Sequence, residues 1–388
     1  MGKAKKHENR TGTQLGIWTE DLDEENPDFY TRQLITYIGN KRALLGPIGV
    51  ALGRVKRRLG RDKLRILDAF AGSGVVSRYF KASSSYLASN DLEEYSAVVA
   101  KCFLANRSQV DEVALRGIVD DFNCRVETTR MTLGFIQELY APRDDDNISA
   151  SDRVFYTSEN ARRLDDYRRL IGDAPAEFRN LLLGPLLGLA SVHANTAGVF
   201  KGFYKDRVTG LGRFGGSGAD ALSRIRGCIK MATPSLSRFE CNYEVFQEDA
   251  NSLARKAKGL DLAYLDPPYN QHPYGSNYFM LNLLARYVKP TQVSTVSGIP
   301  TDWSRSGYNV RAKSLPLILD AVEAVDAPFV ILAYNNEGFV DTNELFAALL
   351  NLGRVDVIAT AYSAFRGSRN LHDRPTHVTE QLFLIEKS

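Results

Sequence analysis

The chain has 388 residues, 44% of them hydrophobic, which is enough for a sizeable core without disulfide staples. Its 49 Lys and Arg against 46 Asp and Glu leave a net charge of +3, which excludes a polycation, so any nucleic-acid surface must come from local segregation of charge. Cys102, Cys124, Cys228 and Cys241 show neither CxxC pairing nor a nearby His set, which indicates no zinc site and no disulfide framework and fits a cytoplasmic protein.

In chain order, residues 1 to about 30 join a basic start (Lys3, Lys5, Lys6, Arg10) to six carboxylates between Glu20 and Asp28, and read as a mobile tail. Order begins at Arg32, with Tyr37-Ile38-Gly39-Asn40-Lys41 before an apolar helical stretch from Ala43 to Val55. Gly39 lets backbone approach a ligand closely, and Lys41 can meet a carboxylate or reach a reaction centre. Leu64 to Phe70 reads as a buried strand, Ala71-Gly72-Ser73-Gly74 as a tight loop and Val75 to Lys81 as a helix. Glycines at such a turn permit close backbone approach, and Asp68 at the strand end can accept from an ammonium group. The next strand, Tyr86 to Ser89, ends in Asn90-Asp91, where an acid suits the two hydroxyls of a ribose or caps the following helix.

From residue 95 to about 240 the strand-helix rhythm breaks into helical patterns over Ser96 to Ala105, Leu133 to Tyr140, Glu159 to Ile171 and Phe178 to Ser191, with a polar loop from Pro142 to Ser151. The longest apolar run, Leu181 to Val192, contains Pro185 and is too short to span a bilayer, so no membrane segment is expected. Lys201 to Lys230 carries seven Lys or Arg, among them Lys201, Lys205, Arg207 and Arg213, against two Asp. With Phe203, Tyr204 and Phe214 interleaved, it reads either as a mobile segment that follows a phosphate backbone or as a solvated face. The rhythm resumes with the strand Tyr243 to Gln247, followed by Asp249, placed to accept from an adenine amino group, and then with Leu262 to Leu265. A helix from Phe279 to Tyr287, a loop from Thr295 to Lys313 carrying Arg305, a strand from Ala327 to Tyr334, and a closing antiparallel pair over Arg354 to Ala361 and Glu380 to Glu386 complete the chain. Arg366 and Arg369 lie between the last two strands, suited to a DNA groove or phosphates.

The stretch the rest serves is Asp266-Pro267-Pro268-Tyr269, at the end of the Leu262 to Leu265 run. A tight turn accounts for these residues, but so does methylation of an amino nitrogen. The exocyclic nitrogen of adenine shares its lone pair with the ring, and acceptors for both of its hydrogens withdraw it from conjugation. The Asp266 carboxylate and the Pro267 carbonyl supply two such acceptors, fixed in advance by the prolines. Tyr269 can stack on a base drawn out of a duplex.

Taken together, Tyr37 to Lys41, Asp68 to Gly74, the insertion and Asp266 to Tyr269 resemble, in that order, the adenine-N6 DNA methyltransferases, and more narrowly the alpha-class, Dam-like group of restriction-modification type. Asn195 to Phe200, Tyr334 to Gly338 and the Arg366 to Asn370 loop add to the likeness. The resemblance implies a doubly wound, Rossmann-like α/β sheet of about seven strands, with residues 31–94 and 241–388 forming the catalytic domain around a helical insertion at 95–240. It implies S-adenosylmethionine as cofactor, held by Tyr37, Gly39, Lys41, Asp68, Gly72, Ser73, Asp91 and Asp249, with no metal. The implied partners are double-stranded DNA and a cognate restriction endonuclease. An RNA adenine methyltransferase, a cytosine-N4 enzyme and a non-catalytic DNA-binding regulator stay open as alternatives.

Overall fold

A computed structural model describes residues 25–216, 221–363 and 377–388. Seven strands, β1 (Leu64–Asp68), β2 (Ser84–Asn90), β3 (Asn242–Phe246), β4 (Leu262–Leu265), β5 (Phe329–Asn335), β6 (Gly353–Ser363) and β7 (His377–Lys387), form one sheet in the order β3-β2-β1-β4-β5-β7-β6. The first five pair in parallel, and β7 runs antiparallel between β5 and β6. Every residue of β4 and β5 is buried, as parallel strands covered on both faces require. Side chains alternate between two cores. Ile66, Tyr264 and Ile331 pack under the helix Leu45–Leu59, whereas Leu67, Ala263 and Val330 face Ile318 and Val322 of the helix Arg311–Ala324. Each such aliphatic side chain contributes about 1.5–3 kcal/mol on burial.

The strand order reverses between β1 and β4, so the crevice beyond their carboxyl ends is the switch point at which an open α/β sheet takes its ligand. Asp68 pairs in register with Tyr264, which sets the end of β1 beside Asp266.

Helices dominate the stretch from residue 94 to 226, as expected. Their core is not separate, however. Tyr95 and Phe103 of the helix Glu94–Phe103 pack with Leu164 and Tyr167, with Leu182 and Leu186, and with Phe279 and Leu283 from beyond β4. The helices that were not anticipated include Glu112–Thr128, Arg311–Ala324 and Thr342–Leu349. Gly117, Asp120 and Asp121 are weak helix formers and mask the first, although Leu115, Val119, Phe122 and Val126 mark its buried stripe. Pro316 disguises the second, so the loop expected to run to Lys313 ends before Arg311.

Two further expectations are corrected. The tail drawn over residues 1–30 is packed where it is described: Glu25 and Phe29 are buried, and Glu25 accepts from the Arg238 N–H at 2.9 Å and from the Ser237 hydroxyl. Nor is the basic segment from Lys201 a loose ribbon. Phe203 and Phe214 are buried, and Asn195 donates to the carbonyls of Val154 (2.7 Å) and Arg213 (2.8 Å) while accepting from the Gly215 N–H (3.0 Å). Buried amide groups that find three backbone partners lock a loop firmly. Residues 1–24 and the Arg366 and Arg369 positions lie outside the described residues.

Candidate active site

A cleft of about 850 Å³, counted to its open mouth, occupies the switch point. Its wall includes Tyr37, Gly39, Lys41, Gly72, Ser73, Asp91, Asp249, Asp266 and Pro268, which brings together most of the residues singled out from the sequence. Asp68 and Pro267 stand behind that wall, both buried. Phe70, Glu93, Tyr274, Tyr308 and Asn309 also line it and were not assigned a role from sequence.

The glycine loop is built for close approach. Gly72 has φ +53°, and a Cβ there would lie 2.9 Å from Tyr37 Cε1, so only glycine lets the loop pass the tyrosine ring. Asp91 fixes the loop from across the cleft. Its Oδ2 accepts from the Gly72 N–H at 2.7 Å, and its Oδ1 accepts from the Glu93 N–H at 2.9 Å. Tyr37 is held by near-parallel stacking on Tyr278 (4.7 Å, 18°) and Tyr274 (5.1 Å, 11°). The Tyr278 hydroxyl accepts from the Ile38 N–H at 2.7 Å, which sets the backbone of the first motif.

Arg78 ties the two walls together. It is buried in the helix Val75–Lys81, directly after the glycine loop, and donates to the carbonyls of Phe29 (2.9 Å), Arg32 (3.2 Å) and Gln33 (3.3 Å) in the segment leading to Tyr37. Burial pushes its guanidinium down to about 9. Its charge is stabilised by those carbonyls and by the Phe103 ring, 3.5 Å below it.

The electrostatics select a class of ligand. Among the described residues, five carboxylates (Asp91, Glu93, Glu248, Asp249 and Asp266) face the cleft, with Lys41 as the one base in its wall. Like charge repels phosphate, and acceptors favour ammonium, hydroxyl and amino groups. Burial pushes Asp68 up to about 7 against the hydrogen bond from Ser77, with Asp266 and Asp91 adding to the rise. Its Oδ2 accepts from the Ser77 hydroxyl at 2.6 Å, and the whole carboxylate is buried. Glu93 is likewise pushed up to about 7 by burial, and accepts from Asn282 Nδ2 at 2.6 Å. Asp249 caps the helix Ala250–Lys256 with one oxygen on the Ser252 N–H (2.9 Å) and is otherwise exposed.

At the inner end, Lys41 Nζ lies 2.9 Å from Asp266 Oδ1 and 3.1 Å from Glu380 Oε1 of β7. The first contact is an ion pair made at Asp266 Oδ1, and the second draws the same ammonium toward Glu380. Burial opposes the Lys41 charge, yet Asp266, Tyr269 and Glu380 outweigh it and hold the ammonium well above an ordinary lysine. Burial raises Asp266 above the usual carboxylate range, with Lys41 opposing and Glu380 adding to the rise. The Tyr269 ring meets Tyr334 edge-on (5.7 Å, 70°), and the Tyr269 carbonyl accepts from the Phe339 N–H at 2.8 Å, so Tyr334 and Phe339, at either end of the turn after β5, brace the Asp-Pro-Pro-Tyr turn.

Among the basic residues, Lys201, Lys205 and Arg207 are exposed on a loop closed by an antiparallel bridge between Lys205 and Gly212. Its tip carries Val208, 94% exposed. Arg213 is engaged internally, 3.7 Å from Asp206 and donating to the Gly216 carbonyl at 3.1 Å. Arg305 is exposed, its guanidinium 4.2 Å above the Trp303 ring.

Comparison with known proteins agrees with this geometry. The family profile for D12 class N6 adenine-specific DNA methyltransferases matches residues 37–170 and 229–345, more than half of the chain. The type II methyltransferase M.NlaIII of Neisseria lactamica is 27% identical over 369 residues, covering 91% of this chain and 100% of that protein. The type II methyltransferase M.CviAII of Paramecium bursaria Chlorella virus 1 is 27% identical over 361 residues, 90% of this chain and 98% of its own length. The modification methylase StsI of Streptococcus sanguinis is 28% identical over 370 residues, 90% of this chain but 52% of that protein. With its cleft at the β1/β4 switch point and both motifs at its wall, the chain belongs to the D12 class of N6 adenine-specific DNA methyltransferases.

Proposed function

We propose that the chain uses S-adenosylmethionine to methylate N6 of an adenine flipped out of duplex DNA, as the modification half of a cytoplasmic restriction-modification pair. The observation that carries this reading is the acid-lined cleft that ends at the Lys41–Asp266 contact. Bound there, the cofactor supplies an electrophilic methyl group on a positively charged sulfur, a charge the acidic wall favours. The Asp68 carboxylate at the end of β1 suits the ammonium of its amino-acid part, Asp91 and Glu93 its ribose hydroxyls, and Asp249 its adenine amino group.

Asp266 and the Pro267 carbonyl take the two hydrogens of the target amino group and turn its lone pair toward the methyl carbon. Tyr269 replaces part of the stacking lost on flipping, a term worth about 1–3 kcal/mol per base. Lys201, Lys205, Arg207 and Arg305 hold phosphates, with Arg366 and Arg369 assigned the same role from sequence, while Arg213 braces the loop that carries the first three. Residues 31–94 and 241–388 act as the catalytic unit and 95–240 as the recognition insertion. Fluorescence of 2-aminopurine at the target position tests the flipping step. It should rise with wild-type enzyme and rise less with Tyr269→Ala, and an active enzyme that leaves it unchanged would contradict the reading.

A further inference from the structure

Glu380 belongs to the last strand, where it pairs in register with Asn335 of β5 and Thr360 of β6, yet its carboxylate reaches the active site. It is 1% exposed and lies 3.1 Å from the ammonium that Asp266 also contacts. Nothing in the reaction set out above uses it. A buried and a largely buried acid around one lysine are an expensive arrangement, since a carboxylate withdrawn from water is costly unless well paired. A single Lys–Asp pair is cheaper. Such a pair closes on itself, however, and ammonium hydrogens aimed at Asp266 would occupy the lone pairs that an entering amino group must use. Here the Lys41 ammonium stands between the two acids and donates to the Gly39 carbonyl at 3.3 Å, and it meets Asp266 at the buried Oδ1, which leaves Oδ2 to the entering amino group.

We infer that Glu380 is a positioning residue for methyl transfer: by sharing the Lys41 ammonium, it keeps the Asp266 carboxylate open to the target amino group. The inference rests on the reading of Asp266 proposed above. In the transfer step the amino nitrogen forms its new bond to the methyl carbon as the bond from that carbon to sulfur breaks, the electron pair staying on sulfur. One amino hydrogen then leaves nitrogen as a proton and passes to an Asp266 oxygen. Lys41, Asp266 and Glu380 together carry one net negative charge before that step and none after it, so the surplus Glu380 charge favours proton uptake. The other titratable groups facing Asp266 are Asp68 at the end of β1, Tyr264 on β4, and Tyr274 beyond the turn, with Tyr269 over Lys41.

The test is kcat for DNA methylation between about pH 5 and about pH 9 for wild type, Glu380→Gln and Glu380→Asp, with cofactor Kd measured alongside. Glu380→Gln should lower the plateau about tenfold. It should also move the acid limb about one pH unit lower, because a carboxylate that raises Asp266 is gone. Cofactor Kd should stay unchanged. Glu380→Asp, which keeps the charge, should hold the limb in place and recover most of the plateau. A Glu380→Gln profile that superimposes on wild type overturns the inference. So does a limb displaced in Glu380→Asp, whether or not the Gln variant folds. Absence of N6-methyladenine with wild-type enzyme would instead fault the reading of the reaction.

Discussion

Asp91 reaches across the cleft to hold Gly72, its Oδ2 accepting the glycine N–H at 2.7 Å while Oδ1 takes that of Glu93 at 2.9 Å. The acid at the end of β2 therefore shapes the glycine loop before it meets any ligand. Replacing it with Ala leaves two backbone donors without acceptors, at about 1–3 kcal/mol for each that stays buried. Asp91→Ala should weaken cofactor binding at least about tenfold by calorimetry and lower the melting temperature. Unchanged values of both would remove Asp91 from the loop's support.

Gly72 itself is the sharper probe. A methyl group there meets the Tyr37 ring and holds a left-handed φ that costs an L-residue about 1–2 kcal/mol. Gly72→Ala should retain the fold, displace Tyr37 and raise the cofactor Kd. A wild-type Kd would show that the loop has slack.

The buried acids predict a pH dependence of stability. Asp68 and Glu93 titrate near 7 in the fold, well above their unfolded values, so between about pH 4 and about pH 7 the native state holds more protons and loses stability as pH rises. Asp68→Asn removes one such cost. It should melt above wild type at about pH 8, by several degrees, with the gap shrinking toward about pH 5. The same variant should bind cofactor less tightly. A gap independent of pH would contradict the assignment.

The two motifs were legible because each is local: Asp68 to Gly74 and Asp266 to Tyr269 are short strand-to-loop turns whose residue types state their geometry. Individual strands were legible as apolar runs such as Leu262 to Leu265, while the doubly wound sheet of about seven strands was what the resemblance implied. Features that depend on chain-distant partners were not legible. Glu380 reads as an ordinary strand residue until β7 is inserted beside β5, and Arg78 as an ordinary helix residue until the carbonyls of Phe29 to Gln33 close on it. Charge counting likewise singled out the Lys201 to Lys230 segment but could not show that Arg213 is spent on Asp206 and Gly216, or that Asn195 ties Arg213 and Gly215 to Val154.

That loop carries a prediction of its own. If Lys201, Lys205 and Arg207 hold phosphates, neutralising each should reduce the slope of log affinity against log salt by about one. Arg213→Ala should act on stability instead and leave the slope alone. A slope untouched by all three substitutions would place the DNA on another face.

The central claim is that Asp266 serves the amino nitrogen of adenine, and nucleoside mass spectrometry of duplex DNA incubated with enzyme and S-adenosylmethionine tests it most directly. Wild-type enzyme should yield N6-methyladenine. Asp266→Ala should lower the rate at least about a hundredfold, as loss of an acceptor at the reacting centre does, while cofactor binding is retained. N4-methylcytosine as the product, or a variant that methylates adenine at close to the wild-type rate, would contradict the account.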